Sequence, residues 1–154
     1  MDGYALCAGA RVAPRRATLE DVPFLLHLFK EKYPGYSVEA SEAWGRAVIG
    51  LPHVAFFICG QSIGIVAYQT EFWRPLERIA DLVQLYGRPE PGDPWASYRV
   101  LKACIAWAKE EGCYAIRFGS TIDPIGIAGG VDRLAAFAKR LKAKPWGMTY
   151  AVEF

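Results

Sequence analysis

The sequence predicts an α/β (α+β) protein with a mixed, mainly antiparallel sheet and helices on both of its faces. Three observations lead to this prediction. Residues 79–120 have the pattern of a strand, a loop, a helix and a second strand, which is a βαβ unit. Residues 53–59 and 63–72 are apolar runs joined by a short turn, which is typical of a hairpin. Two helical patterns precede the hairpin, so the expected order is β-α-α-β-β-β-α-β-α-β.

The N-terminal part of the chain is expected to hold one strand and two helices. Thr18 and Asp21 have the spacing of a capping box, which marks the start of a helix. Apolar residues then recur on one helical face up to about Lys32, and a second helical pattern follows a Pro-Gly pair. The predicted elements are a loose segment at residues 1–9, a strand at 10–16, a helix from the capping box to about 32 and a helix at 38–49.

The central strand and its helix are separated by a loop rich in proline and glycine. The strand is predicted to begin at Ile79, after a connection at residues 73–77, and the helix is predicted to end at Gly112. Asp93 directly precedes Pro94, and this pair is typical of an N-cap followed by proline at the first helical position. We therefore expect Asp93 to cap the helix.

The C-terminal part is predicted to add one helix and one strand. A glycine-rich loop at residues 120–130 precedes a helical pattern at about 131–143, and residues 147–154 alternate like a strand. The chain shows no internal repeat and no linker. Residues 1–154 are therefore predicted to form a single domain.

Composition and charge argue against several classes of function. Hydrophobic residues make up 53% of the chain, which indicates a globular protein. A net charge of +2 gives no electrostatic reason to expect nucleic acid or an anionic membrane as a partner. The four cysteines are scattered and neither histidine has partners at metal-ligand spacing, so reduced thiols and no metal site are expected. The N-terminus lacks the charge order of a secretory signal, which favours a cytoplasmic location.

The element order, with an Arg-Ala-Thr-x-x-Asp opening at residues 16–21, resembles the GCN5-related N-acetyltransferase (GNAT) superfamily. Trp107-Ala-Lys109 with Gly112 is similar to the end of the family's third helix, and residues 137–147 are similar to its fourth helix and the following turn. The resemblance covers residues 12–154. It implies transfer of an acetyl group from acetyl-CoA to an amine on a small molecule or a protein.

The resemblance places acetyl-CoA between the end of the fourth strand and the start of the third helix. In the family, backbone amides at this place hold the pyrophosphate, because unpaired amides and the helix dipole favour an anion. Carried over to this chain, the implied cofactor-binding residues are Leu85, Tyr86, Gly87, Trp95, Ala96 and Ser97.

The phosphate loop departs from the family pattern at residues 92–97. Gly92 stands where Arg or Gln is usual, and Asp93 and Trp95 stand where the first two glycines are expected. A carboxylate about 4 Å from a phosphate oxygen would oppose binding by roughly 4 kcal/mol at an effective dielectric near 20. The sequence therefore predicts a degenerate member of the superfamily, similar to small proteins found in tailed phages.

Asp81 is the candidate general base, since a base in this family comes from the fourth strand or acts through water. Gln84 lies on the same strand, but an amide cannot take the proton directly. The tyrosine that serves as the acid in many relatives corresponds to Ala138 here. Catalytic activity is thus left open by the sequence.

Three functions remain open at this point. The first is an acetyltransferase acting on an amine. The second is a catalytically silent GNAT-fold module with a protein partner, which in a phage would be virion-associated. Joint surface exposure of any of the aromatic residues Trp73, Trp95, Trp107, Trp146 and Tyr86, which are mostly expected in the core or anchoring loops, would favour it. The third is the same fold with a different small ligand.

Overall fold

A computed structural model describes residues 12–32, 35, 37–87, 93–118 and 136–144. The chain divides into two compact units, Met1–Ile116 and Arg117–Phe154. In the second unit, residues 136–140 are helical and Lys142 has a left-handed backbone with φ 53°. Whether residues 1–154 act as a single domain stays a prediction.

Three predicted segments lie outside the described residues. These are the loose N-terminal segment at 1–9, the glycine-rich loop at 120–130 and the C-terminal strand at 147–154. Within the described ranges, no helix is both long and apolar enough to cross a bilayer.

The described residues of the first unit form a sheet and three α-helices. The elements, in chain order, are strand β1 (Arg15–Arg16), helices α1 (Val22–Lys32) and α2 (Val38–Val48), strands β2 (Val54–Cys59), β3 (Ser62–Glu71) and β4 (Arg74–Gly87), helix α3 (Ala96–Glu110) and strand β5 (Cys113–Arg117). The strand order is β1-β2-β3-β4-β5, and β1 to β4 pair antiparallel with their neighbours. The predicted fold class is confirmed.

Strand β2 shows why helices cover both faces of the sheet. Phe56 and Ile58 pack in one buried cluster with Leu28 of α1. Ala55 and Cys59, which alternate with them, pack in a second cluster with α3. Successive side chains on a strand point to opposite faces, so an almost wholly apolar strand needs cover on both sides. The apolar sequence of β2 therefore fixes its position between two helical layers.

Strand β4 begins earlier than predicted, and the expected connection at residues 73–77 is wrong. Four of those residues belong to β4, and only Phe72 and Trp73 separate it from β3. The register is irregular here: Thr70 pairs with Arg78, but the next residue, Glu71, pairs with Arg74. The extra residues on β4 interrupt the alternation of side chains between the two faces. Pro75 also has the appearance, in the sequence, of a residue that ends a strand. The sequence pattern therefore conceals the first part of the strand.

The capping interaction predicted at the start of α1 is present. The Thr18 backbone N–H donates to Asp21 Oδ2 at 2.8 Å, and a single 3-10 turn, Leu19–Asp21, leads into the helix. The Arg15 guanidinium also donates to both carboxylate oxygens of Asp21, at 2.8 and 2.6 Å. This bidentate hydrogen bonding lowers the pKa of Asp21 from 3.8 to about 2.

We expect the Asp21→Asn variant to lose stability at neutral pH but not in acid. A lowered pKa stabilises the folded state above about pH 4, and this contribution disappears as the pH falls to about 2. The shift corresponds to about 2 kcal/mol, but Arg15 is more than half exposed, so solvent screening reduces the expected loss to about 1 kcal/mol. Urea unfolding from neutral pH down to pH 2 measures the difference. Glu20→Gln, an exposed neighbouring carboxylate, is the matched control, and an equal loss in both variants would contradict the prediction.

Candidate functional site

Strand β4 carries a bulge in its second half. Ile65 of β3 pairs with Gln84, but the next residue, Val66, pairs with Leu82, which leaves Val83 as the extra residue. Leu82 belongs to the cluster on the α3 face, whereas Val83 and Gln84 both line a cavity on the face covered by α1 and α2. The bulge therefore brings two consecutive β4 residues to the same side of the sheet.

The cavity has a volume of about 220 Å³ and lies between α1, α2 and the sheet. Its lining is almost wholly apolar, with Phe29 from α1, Trp44 from α2 and Phe56 from β2 among the ring-bearing residues. The sequence indicated these side chains as helix or strand core, but it did not indicate a cavity, because neither periodicity nor composition reveals imperfect packing.

Asp81 lies on the same face of β4 as the cavity. Its cross-strand partner is Ala67, which packs against the cluster on the α1 side, and residues directly opposite each other point to the same face. Asp81 is half-buried, and Gln69 Nε2 donates to its Oδ2 at 3.3 Å. The candidate base therefore stands two residues before the bulge, beside the cavity rather than in its lining.

The end of β4 packs directly against the start of α3. The hydroxyls of Ser62 and Ser97 are buried and lie 3.0 Å apart in a hydrogen bond. A Cβ atom on Gly87 would lie 2.5 Å from Ser97 Oγ and even closer to Ser62 Oγ. Only glycine allows the strand end to approach the helix this closely.

The structure brings the predicted cofactor-binding residues together, but most of their side chains are packed in the core or bonded to other protein groups. Leu85 packs in the cluster on the α3 side and Tyr86 against the cluster on the α1 side. Ala96 is buried, and the Ser97 hydroxyl is bonded to Ser62. What this group offers a ligand is therefore its backbone, including the first amides of α3, which precede the first intrahelical hydrogen bond.

Trp95 remains partly open to solvent. It is 41% exposed, and its ring meets the Tyr98 ring edge-on with the centroids 6.0 Å apart. A tryptophan filling the space between β4 and α3 would be buried. Part of the Trp95 side chain therefore lies on the protein surface beside the N-terminus of α3.

The prediction that Asp93 caps α3 is wrong. Trp95 occupies the N-cap position, and the Asp93 carboxylate instead accepts a short hydrogen bond from Arg99, one turn into the helix. A guanidinium is a stronger partner than a single amide, and this hydrogen bond raises the pKa of Arg99. Arg99 is the residue that sequence reasoning missed, because the Asp-Pro pair was sufficient to suggest a cap.

The ion pair also changes the electrostatics expected at the loop. The repulsion estimated from the sequence treats Asp93 as an isolated charge. Arg99 places a compensating positive charge directly against the Asp93 carboxylate, and its Nη2 also donates to Cys59 Sγ at 3.4 Å. An approaching pyrophosphate therefore meets a nearly neutral pair, so the repulsion is much smaller than the estimate.

Two of the thiols that the structure describes, those of Cys104 and Cys113, are held in their protonated form. Burial raises the pKa of Cys104 to about 12 and also raises that of Cys113, so both are protonated at neutral pH. Among the residues that the structure describes, no three histidine, cysteine or acidic side chains are grouped closely enough to hold a metal ion.

A second surface feature lies at the tip of the β3–β4 hairpin. Phe72, Trp73 and Leu76 are 96%, 73% and 97% exposed. Tyr114 of β5 supports the base of this tip, because its hydroxyl donates to Glu71 Oε2 at 3.1 Å. We call Phe72, Trp73 and Leu76 the hairpin-tip cluster.

The fold matches those of solved acetyltransferases. The aminoglycoside N-acetyltransferase AAC(6')-Iy in complex with CoA superposes with a TM-score of 0.74 at 13% identity, covering 95% of this chain and 96% of that one. An acetyltransferase from Trypanosoma brucei gives 0.68 at 11% identity over 93% and 99%, and a transcriptional regulator from Bacillus halodurans gives 0.74 at 14% over 93% and 99%. No family model and no curated protein matches the sequence. The chain has the GNAT fold that the sequence predicts.

Proposed function

We propose that this protein is an acyltransferase that binds acetyl-CoA where β4 meets α3 and transfers the acetyl group to an amine. The observation that carries the proposal is the bulge at Val83. Before the bulge, Asp81 lies on the face of the sheet that also carries the cavity. After the bulge, the end of β4 packs against the N-terminus of α3.

Cofactor binding is supported by the chain's own backbone and by its structural neighbours. The amides at the start of α3 form a site that favours an anion, and Ala96 and Ser97 contribute no charge that would oppose one. Arg99 compensates the negative charge of Asp93 through their ion pair. AAC(6')-Iy has been solved with CoA and with a CoA bisubstrate analogue. The departures at Gly92 and Trp95 then represent an altered phosphate loop and not a lost one.

In the proposed reaction, the acceptor amine attacks the thioester carbonyl of acetyl-CoA. The amine must lose a proton, which Asp81 accepts directly or through water. The C–S bond then breaks, and the CoA thiolate leaves and takes a proton from solvent, since Ala138 cannot supply one. The products are an N-acetylated amine and CoA.

Calorimetric titration with acetyl-CoA tests the proposal. We expect saturable binding at one site and a matching rise in thermal stability. Gly87→Ala should weaken binding by about tenfold or more, because the added Cβ pushes the strand end away from α3. Gly50→Ala is the matched control, since a Cβ there meets nothing within 4 Å. Absence of both heat and a thermal shift at millimolar acetyl-CoA would overturn the proposal.

The hairpin-tip cluster favours a second candidate function, a protein-binding module. Phe72, Trp73 and Leu76 are each largely exposed within one hairpin, and large apolar side chains left open to solvent close to one another in the chain are typical of an interface. This function is compatible with the loss of catalysis and with the virion-associated role considered from the sequence. A protein that binds no acetyl-CoA, yet loses a specific partner when Trp73 and Leu76 are replaced by serine, would establish this candidate in place of the first.

A further inference from the structure

The lining of the cavity restricts which acceptor it can hold. The apolar part of the lining includes Leu25, Phe29, Trp44, Phe56, Ile65 and Val83. The polar side chains among the lining residues are Ser41 and Gln84, and neither carries a charge. A cationic group placed deep in such a cavity would lose its hydration without gaining a counter-charge. The cavity therefore selects against acceptors that carry several ammonium groups.

The volume limits the size of the bound group. A dry apolar cavity of about 150 Å³ is enough to hold benzene, whereas sites for drug-sized ligands begin near 300 Å³. At about 220 Å³, this cavity has room for one six-membered ring with a short chain.

Trp44 indicates where such a ring would lie. Its side chain is 48% exposed although it lines the cavity, and its ring centroid is 6.1 Å from that of Phe56. A ring entering the cavity would cover the open face of Trp44, as aromatic pairs prefer. The chain attached to the ring would then extend along β4, past the Val83 bulge, toward Asp81.

We propose that the acceptor is a small primary amine with a single aromatic or similarly sized apolar ring, which is held in this cavity while its amine faces Asp81. This inference rests on the proposed function and adds the class of its acceptor. The proposed acceptor differs from that of AAC(6')-Iy, a structural neighbour named for aminoglycosides, which are amino sugars with several positive charges.

Initial rates with acetyl-CoA and matched amines test the inference. We expect kcat/KM for phenethylamine to exceed that for ethanolamine by about 100-fold, because ethanolamine has the same two-carbon chain and amine but carries a hydroxyl in place of the ring that the apolar pocket would hold. Neamine should react no better than ethanolamine. Comparable rates with all three amines, or a preference for neamine, would overturn the inference.

Gly45 provides a variant that fills the cavity. It lies in α2 and lines the cavity, and a Cβ there would meet only Val22 Cγ1, at 3.8 Å. Gly45→Leu should therefore fold, occupy the space and reduce kcat/KM for phenethylamine by about 100-fold, with no change in the Kd of acetyl-CoA. Gly45→Ala leaves most of the volume and is the control. Trp44→Ala is a second variant, expected to raise KM for phenethylamine and to leave the Kd of acetyl-CoA unchanged.

The outcomes of these experiments separate the two proposals. An unchanged preference for phenethylamine in Gly45→Leu and Trp44→Ala would overturn the acceptor assignment while acetyl transfer stands. Absence of acetyl-CoA binding, which the titration detects before any amine is added, would overturn the proposed function and the acceptor assignment with it.

Discussion

Replacing Asp81 with asparagine should lower kcat by about 10²- to 10⁴-fold, the range typical of general-base catalysis. Asparagine keeps the shape of the side chain but cannot accept a proton from the amine. The Kd of acetyl-CoA should not change, because Asp81 faces the side of the sheet covered by α1 and α2, whereas the cofactor is proposed at the junction of β4 with α3. Steady-state kinetics with the best amine, together with calorimetric titration, measure both quantities.

Glu77→Gln is the matched control for Asp81→Asn. Glu77 is a carboxylate on the same strand, and it is bonded to Arg74 at 2.7 Å near the hairpin tip. Its replacement should leave kcat unchanged. If Asp81→Asn retains activity within about threefold of the unmodified protein, the base is a water molecule or another group, and the role proposed for Asp81 is wrong.

Replacing Gly64 with alanine should destabilise the fold by about 2 to 3 kcal/mol, toward the upper end of the range for an overpacked core. A Cβ there would lie 2.6 Å from Val100 Cγ1 and 3.0 Å from Cys104 Sγ. Val100 and Cys104 are both fully buried on α3, and a β-branched side chain in a helix has little rotamer freedom. The helix would have to move away from the sheet. Urea unfolding measures the loss.

A second substitution distinguishes this contact from a general effect of alanine in a strand. Val100→Ala removes the atom that the new Cβ would strike, so it should recover part of the stability lost in Gly64→Ala, although it leaves a small cavity on its own. Additive losses in the double variant would contradict the close approach of α3 to β3. An unchanged stability in Gly64→Ala would contradict it as well.

Local patterns predicted the elements well where a single strong signal was present. The capping box at Thr18 and Asp21 marks the start of the 3-10 turn that leads into α1, and the apolar run of β2 required helices on both faces. The Asp-Pro pair at residues 93 and 94 was misleading, because an aspartate carboxylate can bond to a nearby cation instead of capping the backbone amides of a helix. Arg99 is such a cation, and its proximity depends on where α3 begins. The candidate cofactor and base residues follow from the resemblance, and their roles stay predictions.

The sequence by itself determined the class of fold and the order of its elements, because alternation, helical periodicity and caps are local properties of the chain. Only the tertiary structure decided how the site is arranged. The bulge at Val83, the close contact of Gly87 with Ser97, and the cavity bounded by Trp44 each depend on residues distant in sequence meeting across the sheet. Register and packing defects are properties of pairs of elements, and no single stretch of sequence encodes them.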